Sequence, residues 1–276
     1  MNAQELTSMQ DVWNAIAAGY DEYVTPTGNW ALPNEALRLA GVKRGLRFLD
    51  VAAGSGALSI PAARLGAEVV AVDISPVMIE KLTERAQQED LPNLSAQVMD
   101  GHNLELKDNT FDISGSQFGV MLFPDLKRGL RELVRVTKPG GRVFLVTYGP
   151  PTEVEFLGIF MKAMKIVNPG FPGMPMDPPP LPFQVAEPKI LHQRFEEVGL
   201  KNIYIEKRSE ILEFYSGEEM WNWVVNSNPI PAMLVSDLTI MQKEEIRQVL
   251  DKLLQEKSAG KLPGGFDGRC EHSCGD

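Results

Sequence analysis

Basic residues are under-represented in this chain. Its 27 Lys and Arg stand against 37 Asp and Glu, a formal net charge of −10. Sequence-independent binding of nucleic acid needs clustered cations for the phosphates, and no basic run is present, so no nucleic-acid partner is expected. Cysteine is scarcer still: only Cys270 and Cys274, both near the C-terminal end. That excludes a disulfide framework and suggests a reduced, cytoplasmic protein. No apolar run approaches the ~20 residues of a membrane helix, so no membrane span is expected. The opening MNAQELTSMQDVW has neither the basic nor the apolar region of a secretory signal. Histidine occurs three times. His102 reads as a loop residue that could reach a ligand at the sheet edge, and His192 as a surface or core residue of a helix. His272 falls in Cys270-Glu271-His272-Ser273-Cys274, where alternate residues on a strand would crowd one face and a fourth ligand is lacking, so no metal is expected.

What is present is organised around Leu46–Ser59, LRFLDVAAGSGALS. A short apolar run, Phe48-Leu49-Asp50-Val51, meets a turn of small residues, Ala52-Ala53-Gly54-Ser55-Gly56, and a helical pattern follows. Strand, tight turn and helix N-terminus together place backbone N–H groups at the carboxyl edge of a sheet, where open α/β sheets bind ligands. The rhythm continues. The apolar run 68–73 reads as a strand buried on both faces. Ser75-Pro76 starts a helix over 76–89. Strands are expected at 94–99 and 111–116, an amphipathic helix at 126–136, and a strand at 142–147 after the turn Lys138-Pro139-Gly140-Gly141. Helical spacing at 5–23 and from Pro33 places two helices before the first strand. The alternation predicts an α/β fold, a doubly wound, Rossmann-like and mostly parallel sheet.

The dinucleotide fingerprint G-x-G-x-x-G would need glycine at position 59, and Ser59 stands there. A pyrophosphate is therefore disfavoured. Three acids end three consecutive strands: Asp50, Asp73 and Asp100. A carboxylate at 73 can accept from both ribose hydroxyls, and one at 100 from an exocyclic adenine amine. Each alone suits a capping role; together they converge on one crevice.

These stretches carry a resemblance. LDVAAGSGALS, AVDISPVMIEKL, VMDGHNLELKDNTFDISGSQFGVMLFPD and RVTKPGGRVFLVTYG resemble the class I S-adenosylmethionine-dependent methyltransferases, in particular the small-molecule branch that includes the ubiquinone/menaquinone-biosynthesis C-methyltransferases. The resemblance covers about residues 10–150. It implies a seven-stranded sheet whose last strand is antiparallel, with S-adenosyl-L-methionine as cofactor. Gly54 and Gly56 would face the methionine moiety beside Asp50, Asp73 the ribose, and Asp100-Gly101 the adenine, with Ile74 and Met78 packed on it. Gln117 and Phe118 would line the methyl-transfer site, and Tyr20 and Trp30 would belong to an N-terminal lid. Ala52 stands where the family often has a first glycine.

After residue 150 the rhythm breaks. Helical stretches at 152–166, 187–198 and 217–256 surround a Pro- and Gly-rich segment at 168–182, a strand or strand pair at 202–214, and a tail, 266–276, that reads as an edge strand. The expectation is one methyltransferase domain: lid helices at 1–45, a cofactor-binding core at 46–150, and a substrate cap with final strands at 151–276. Phe156, Phe160, Met161, Met164, Phe171, Met174, Trp221, Trp223 and Met233 are candidates for an apolar pocket. The expected partner is a small-molecule methyl acceptor. Two rivals are an NAD-dependent oxidoreductase on a similar sheet and a cofactor-binding module without catalysis.

Overall fold

The computed structural model describes residues 3–25, 31–174, 177–258 and 268–275, with side chains over 9–258 of these. Trp30 and the side chains of Cys270, His272 and Cys274 lie outside the described residues.

Helix α1 (Ala3–Gly19) runs into a π-helical turn, Tyr20–Val24, and is followed by α2 (Ala31–Ala40). Then come β1 (Arg47–Val51), α3 (Ser59–Arg64), β2 (Glu68–Asp73), α4 (Pro76–Gln88), β3 (Leu94–Val98), β4 (Phe111–Gln117), α5 (Leu126–Val136) and β5 (Thr137–Tyr148). Local chemistry sets the helix starts. Ser75 caps α4 by accepting the Met78 N–H at 3.1 Å, with Pro76 in the first position. Asp125 caps α5 through the Arg128 N–H at 3.0 Å.

Strands β3, β2, β1, β4 and β5 lie side by side in that order, all parallel. Lys138–Gly141, expected as a turn before a strand at 142–147, instead lies within β5 as a bulge: the pairing jumps from Phe111–Thr137 to Ile113–Arg142.

The second half supplies α6 (Glu155–Val167), α7 (Pro188–Glu196), β6 (Ile205–Leu212), α8 (Gly217–Ser227), α9 (Pro229–Leu234), α10 (Ile240–Lys257) and β7 (Gly268–Gly275). Five strands form the parallel sheet, and beyond β5 the last strand, β7, runs antiparallel, paired with β5 on one side and with β6 on the other. The tail is therefore not an edge strand. β7 is bonded on both sides, and β6 takes the edge. Its polar sequence disguised this, because both of its pairings are made through backbone groups.

Two apolar cores flank the sheet. One packs Leu37, Phe48 and Phe144, and the other Leu130, Leu133 and Phe195. A third core belongs to the cap, where Phe160, Phe214, Trp221 and Leu250 bring α6, α8 and α10 together. Among the described residues, no helix is long and apolar enough to cross a membrane.

Candidate functional site

The carboxyl ends of β1, β2 and β4 open onto a cavity of about 730 Å³, counting its open mouth. Most of the residues singled out from sequence meet there. Ala52 and Gly54 come from the turn after β1, Asp73 and Ile74 from the end of β2, and Met78 from α4. Asp100 and Gly101 follow β3, Gln117 and Phe118 end β4, and Tyr20 comes from the π-helical turn.

Asp73 shows how the turn is built. Its Oδ2 accepts the Gly54 N–H at 2.8 Å, and its Oδ1 accepts the Ser75 N–H at 2.9 Å. The carboxylate thus clamps the glycine turn to the start of α4 while reaching the cavity wall. Burial raises its pKa, against the pull of these backbone donors.

Asp50 and Gly56 do not line the cavity, contrary to expectation. Asp50 is 1% exposed and lies beneath the turn, where it accepts the Ser59 hydroxyl at 2.5 Å. Burial, with the nearby Asp73 charge, pushes its pKa up to about 7 despite that hydrogen bond. Ser59 therefore serves the interior in place of the third glycine. Gly56, at φ +103°, faces α4: a Cβ there would sit 2.3 Å from Leu82 Cδ1. Its bareness admits a core side chain and not a ligand. Ala52 adopts a left-handed backbone, φ 56°, and its methyl is accommodated by Gly119 opposite, where any Cβ would lie 2.4 Å away.

Sequence reasoning missed several wall residues. His102 is 5% exposed, and its Nδ1 lies 2.8 Å from Asp100 Oδ1, which also accepts the His102 N–H at 2.9 Å. Burial pushes the Asp100 pKa up, but these hydrogen bonds outweigh it and hold the carboxyl below its usual value. The ring stacks on Phe123, centroids 4.3 Å apart. The Asp-x-His spacing was the available signal, since a ring two residues on can reach back. Met9, Trp13, Leu122 and Phe123 complete the apolar wall.

The N-terminal segment expected as a lid is tied by polar contacts to the start of α4 and to the glycine turn. Gln10 Nε2 donates to the Ile74 carbonyl at 2.9 Å, Ser75 Oγ to Asn14 Oδ1 at 2.6 Å, and Arg85 pairs with Asp21 at 2.5 Å. Thr25 and Ser55 share a hydroxyl hydrogen bond of 2.6 Å, which ties the π-helical turn to the glycine turn. Tyr20 Cε1 would lie 3.7 Å from a Cβ at Gly54. Burial and the carboxylates of Asp73 and Asp50 raise the Tyr20 pKa to about 12.

Trp13, Tyr20, Gln117, Phe118 and Leu122 also wall a second chamber of about 880 Å³. Phe118 sits at φ 55°, a strained setting for a bulky residue, and stacks on Tyr148 at 4.8 Å. Tyr148 and Phe156 are in turn shared with a third chamber of about 490 Å³, lined by Phe160, Met161, Met174 and Phe183. Of the expected pocket residues, Phe156, Phe160, Met161, Met174 and Trp223 line these chambers. Met164, Phe171 and Trp221 are instead buried in the cap core, and Met233 is 70% exposed.

The first cavity fits an adenosyl-type ligand. It offers a carboxylate at a strand end, bare backbone at Gly54, apolar faces at Ile74 and Met78, and two buried polar atoms without protein partners, His102 Nε2 and Gln117 Oε1.

Comparison with known proteins agrees. A family described as methyltransferase domain matches residues 49–145. The chain is 37% identical over 141 residues to an uncharacterised protein of Mycobacterium tuberculosis, covering 51% of this chain and 49% of that one. It is 36% identical over 159 residues to a demethylmenaquinone methyltransferase of Streptomyces griseus, covering 56% and 66%. It is 31% identical over 167 residues to a ubiquinone/menaquinone biosynthesis C-methyltransferase of Idiomarina loihiensis, covering 57% and 65%. The chain thus spans about half the length of the first of these relatives. Among solved structures, the Bacillus subtilis protein YcgJ aligns with a TM-score of 0.55 at 18% identity, covering 88% of this chain and 96% of that one. A Haemonchus contortus phosphoethanolamine N-methyltransferase in complex with S-adenosyl-L-methionine aligns with a TM-score of 0.53 at 18% identity, covering 89% and 52%. With the glycine turn, the acidic strand ends and the parallel sheet in place, residues 49–145 carry a methyltransferase domain, the chain resembles the class I S-adenosylmethionine-dependent methyltransferases, and S-adenosyl-L-methionine is the cofactor that these likenesses and the cavity support.

Proposed function

We infer that the protein transfers a methyl group from S-adenosylmethionine to an apolar or aromatic small molecule. One observation carries this reading: a cavity with the features of an adenosyl site shares the wall Tyr20–Gln117–Phe118 with an apolar, aromatic-lined chamber. The bound sulfonium supplies an electrophilic methyl whose sulfur leaves as a neutral thioether. The protein's share is then mostly alignment and exclusion of water. In this reading Asp73 accepts the ribose hydroxyls with the lone pairs its two amide bonds leave over. Asp100 Oδ2, outside both bonds to His102, accepts from the adenine amine, and Ile74 and Met78 hold the ring faces. Gly54 presents bare backbone to the methionine portion, under Tyr20. Gln117 and Phe118 stand where the two chambers meet, at the point of transfer. The named activities of the Streptomyces and Idiomarina relatives favour a quinone-like ring as acceptor.

Calorimetric titration with S-adenosylhomocysteine alongside NAD tests the reading. Binding of S-adenosylhomocysteine is expected; binding of NAD alone would overturn it.

A further inference from the structure

Strand β6 alternates. Lys207, Ser209 and Ile211 are exposed, while Glu206, Arg208, Glu210 and Leu212 turn inward. Arg208 pairs with Glu206 and with Glu35, away from the chambers. Glu210 continues the inward row and reaches the wall of the second chamber, together with Leu212. It also accepts the Leu32 backbone N–H in the first turn of α2. Capping α2 would by itself explain an acid here, but it does not explain the company Glu210 keeps.

Among the described wall residues of the second and third chambers, Glu210 is the only carboxylate, and Lys, Arg and His are absent. Such a wall repels an anionic guest and favours a hydroxyl or an ammonium. Aromatic faces at Tyr148, Phe156 and Trp223 add to this, since they attract a cation and pack on a flat ring. Methyl transfer to such an atom requires it to lose a proton, and Glu210 is a far stronger base near neutral pH than a protonated phenol such as Tyr20 or Tyr148 on the same wall.

We propose that Glu210 takes the proton from the methyl acceptor, and that the acceptor is an apolar molecule bearing a phenol-type hydroxyl or an amine, not an acid. This rests on the methyl-transfer reading above. The O–H or N–H bond breaks and its proton joins a Glu210 carboxylate oxygen. The freed electron pair forms the bond to the methyl carbon as the carbon–sulfur bond breaks, its pair remaining on sulfur. Glu210 then returns the proton to water. Burial raises the Glu210 pKa, which makes it a stronger base than an exposed carboxylate.

Four probes on one ring test this by calorimetry with the S-adenosylhomocysteine-loaded protein: 2-naphthol, 2-naphthylmethylamine, 2-methoxynaphthalene and 2-naphthoate. The wild type is expected to bind at least one of the first two about tenfold more tightly than the last two, the scale of one charge-assisted hydrogen bond. Which of the two wins tells oxygen from nitrogen. Glu210→Gln still accepts the Leu32 N–H but cannot take a proton. It should reduce the preference to within about twofold while melting temperature and S-adenosylhomocysteine affinity stay unchanged. No preference in the wild type, or a preference that survives Glu210→Gln, overturns the proposal. Glu210→Asp, which withdraws the charge by one methylene, is read in the same way if Glu210→Gln does not fold. Failure of S-adenosylhomocysteine to bind the wild type would instead overturn the methyl-transfer reading itself.

Discussion

Three small residues, Ser59, Ala52 and Gly119, set the chemistry of the turn. Ser59 gives buried Asp50 a hydroxyl, and Gly119 gives the Ala52 methyl its space. Asp50 titrates abnormally because of this burial, its pKa moving from 3.8 to about 7. A carboxyl whose pKa is raised on folding binds its proton more tightly in the native state. Its contribution to stability is therefore full at low pH and is lost as pH rises through about 4 to 7. Asp50→Asn keeps an acceptor for Ser59 and removes the titration. Its melting temperature should fall less between about pH 5 and 8 than that of the wild type. The fall is reduced and not abolished, since the Asp73 pKa is raised as well. Asp73→Ala is expected to weaken S-adenosylhomocysteine binding at least about tenfold by calorimetry; a change within error would leave Asp73 with a structural role alone. Gly56→Ala forces a methyl onto Leu82 at a positive φ, and chemical denaturation should show a loss of about 1–3 kcal/mol. Sequence could mark Gly56 as a place for close approach. It could not tell whether a ligand or Leu82 does the approaching, because that depends on how α4 packs.

At the scale of elements, the N-terminal helices and the second half divide what was legible from what was not. Periodicity found α1 but carried it through residue 23, whereas a π-helical turn re-aims the chain at Tyr20. One extra residue per turn leaves no mark in an apolar pattern. The ties holding α1 shut are polar and long-range: Gln10 to Ile74, Asn14 to Ser75 and Asp21 to Arg85. Asn14→Ala should therefore speed S-adenosylhomocysteine dissociation by roughly three- to tenfold in stopped flow, the worth of about one hydrogen bond, with little effect on melting temperature. The cap was harder. Helical stretches and the break at Asn228-Pro229 were readable, and Asn228 does cap α9 through the Ile230 N–H at 3.0 Å. Whether Met164 or Met161 faces the cavity was not, since both satisfy the same apolar spacing and only the packing of α6 against α8 and α10 decides between them.

In the whole molecule the three chambers run in series from the sheet into the cap, each sharing wall residues with the next. On the proposed reading this separates cofactor binding from acceptor choice. Met161→Trp fills the far chamber and should weaken binding of long apolar probes such as 2-hexylnaphthalene severalfold, leaving S-adenosylhomocysteine affinity unchanged in the same calorimetric titration. The parallel sheet and its ligand edge were written in the alternation of elements. The order of β7 and β6 was not, because a polar tail of backbone-paired residues carries no side-chain signature of an interior strand.

Trp13 and Tyr20 belong to the walls of both the first and the second chamber. A ligand in one chamber therefore touches the wall that a ligand in the other must meet, and any effect of the first on the affinity of the second is returned by the same factor.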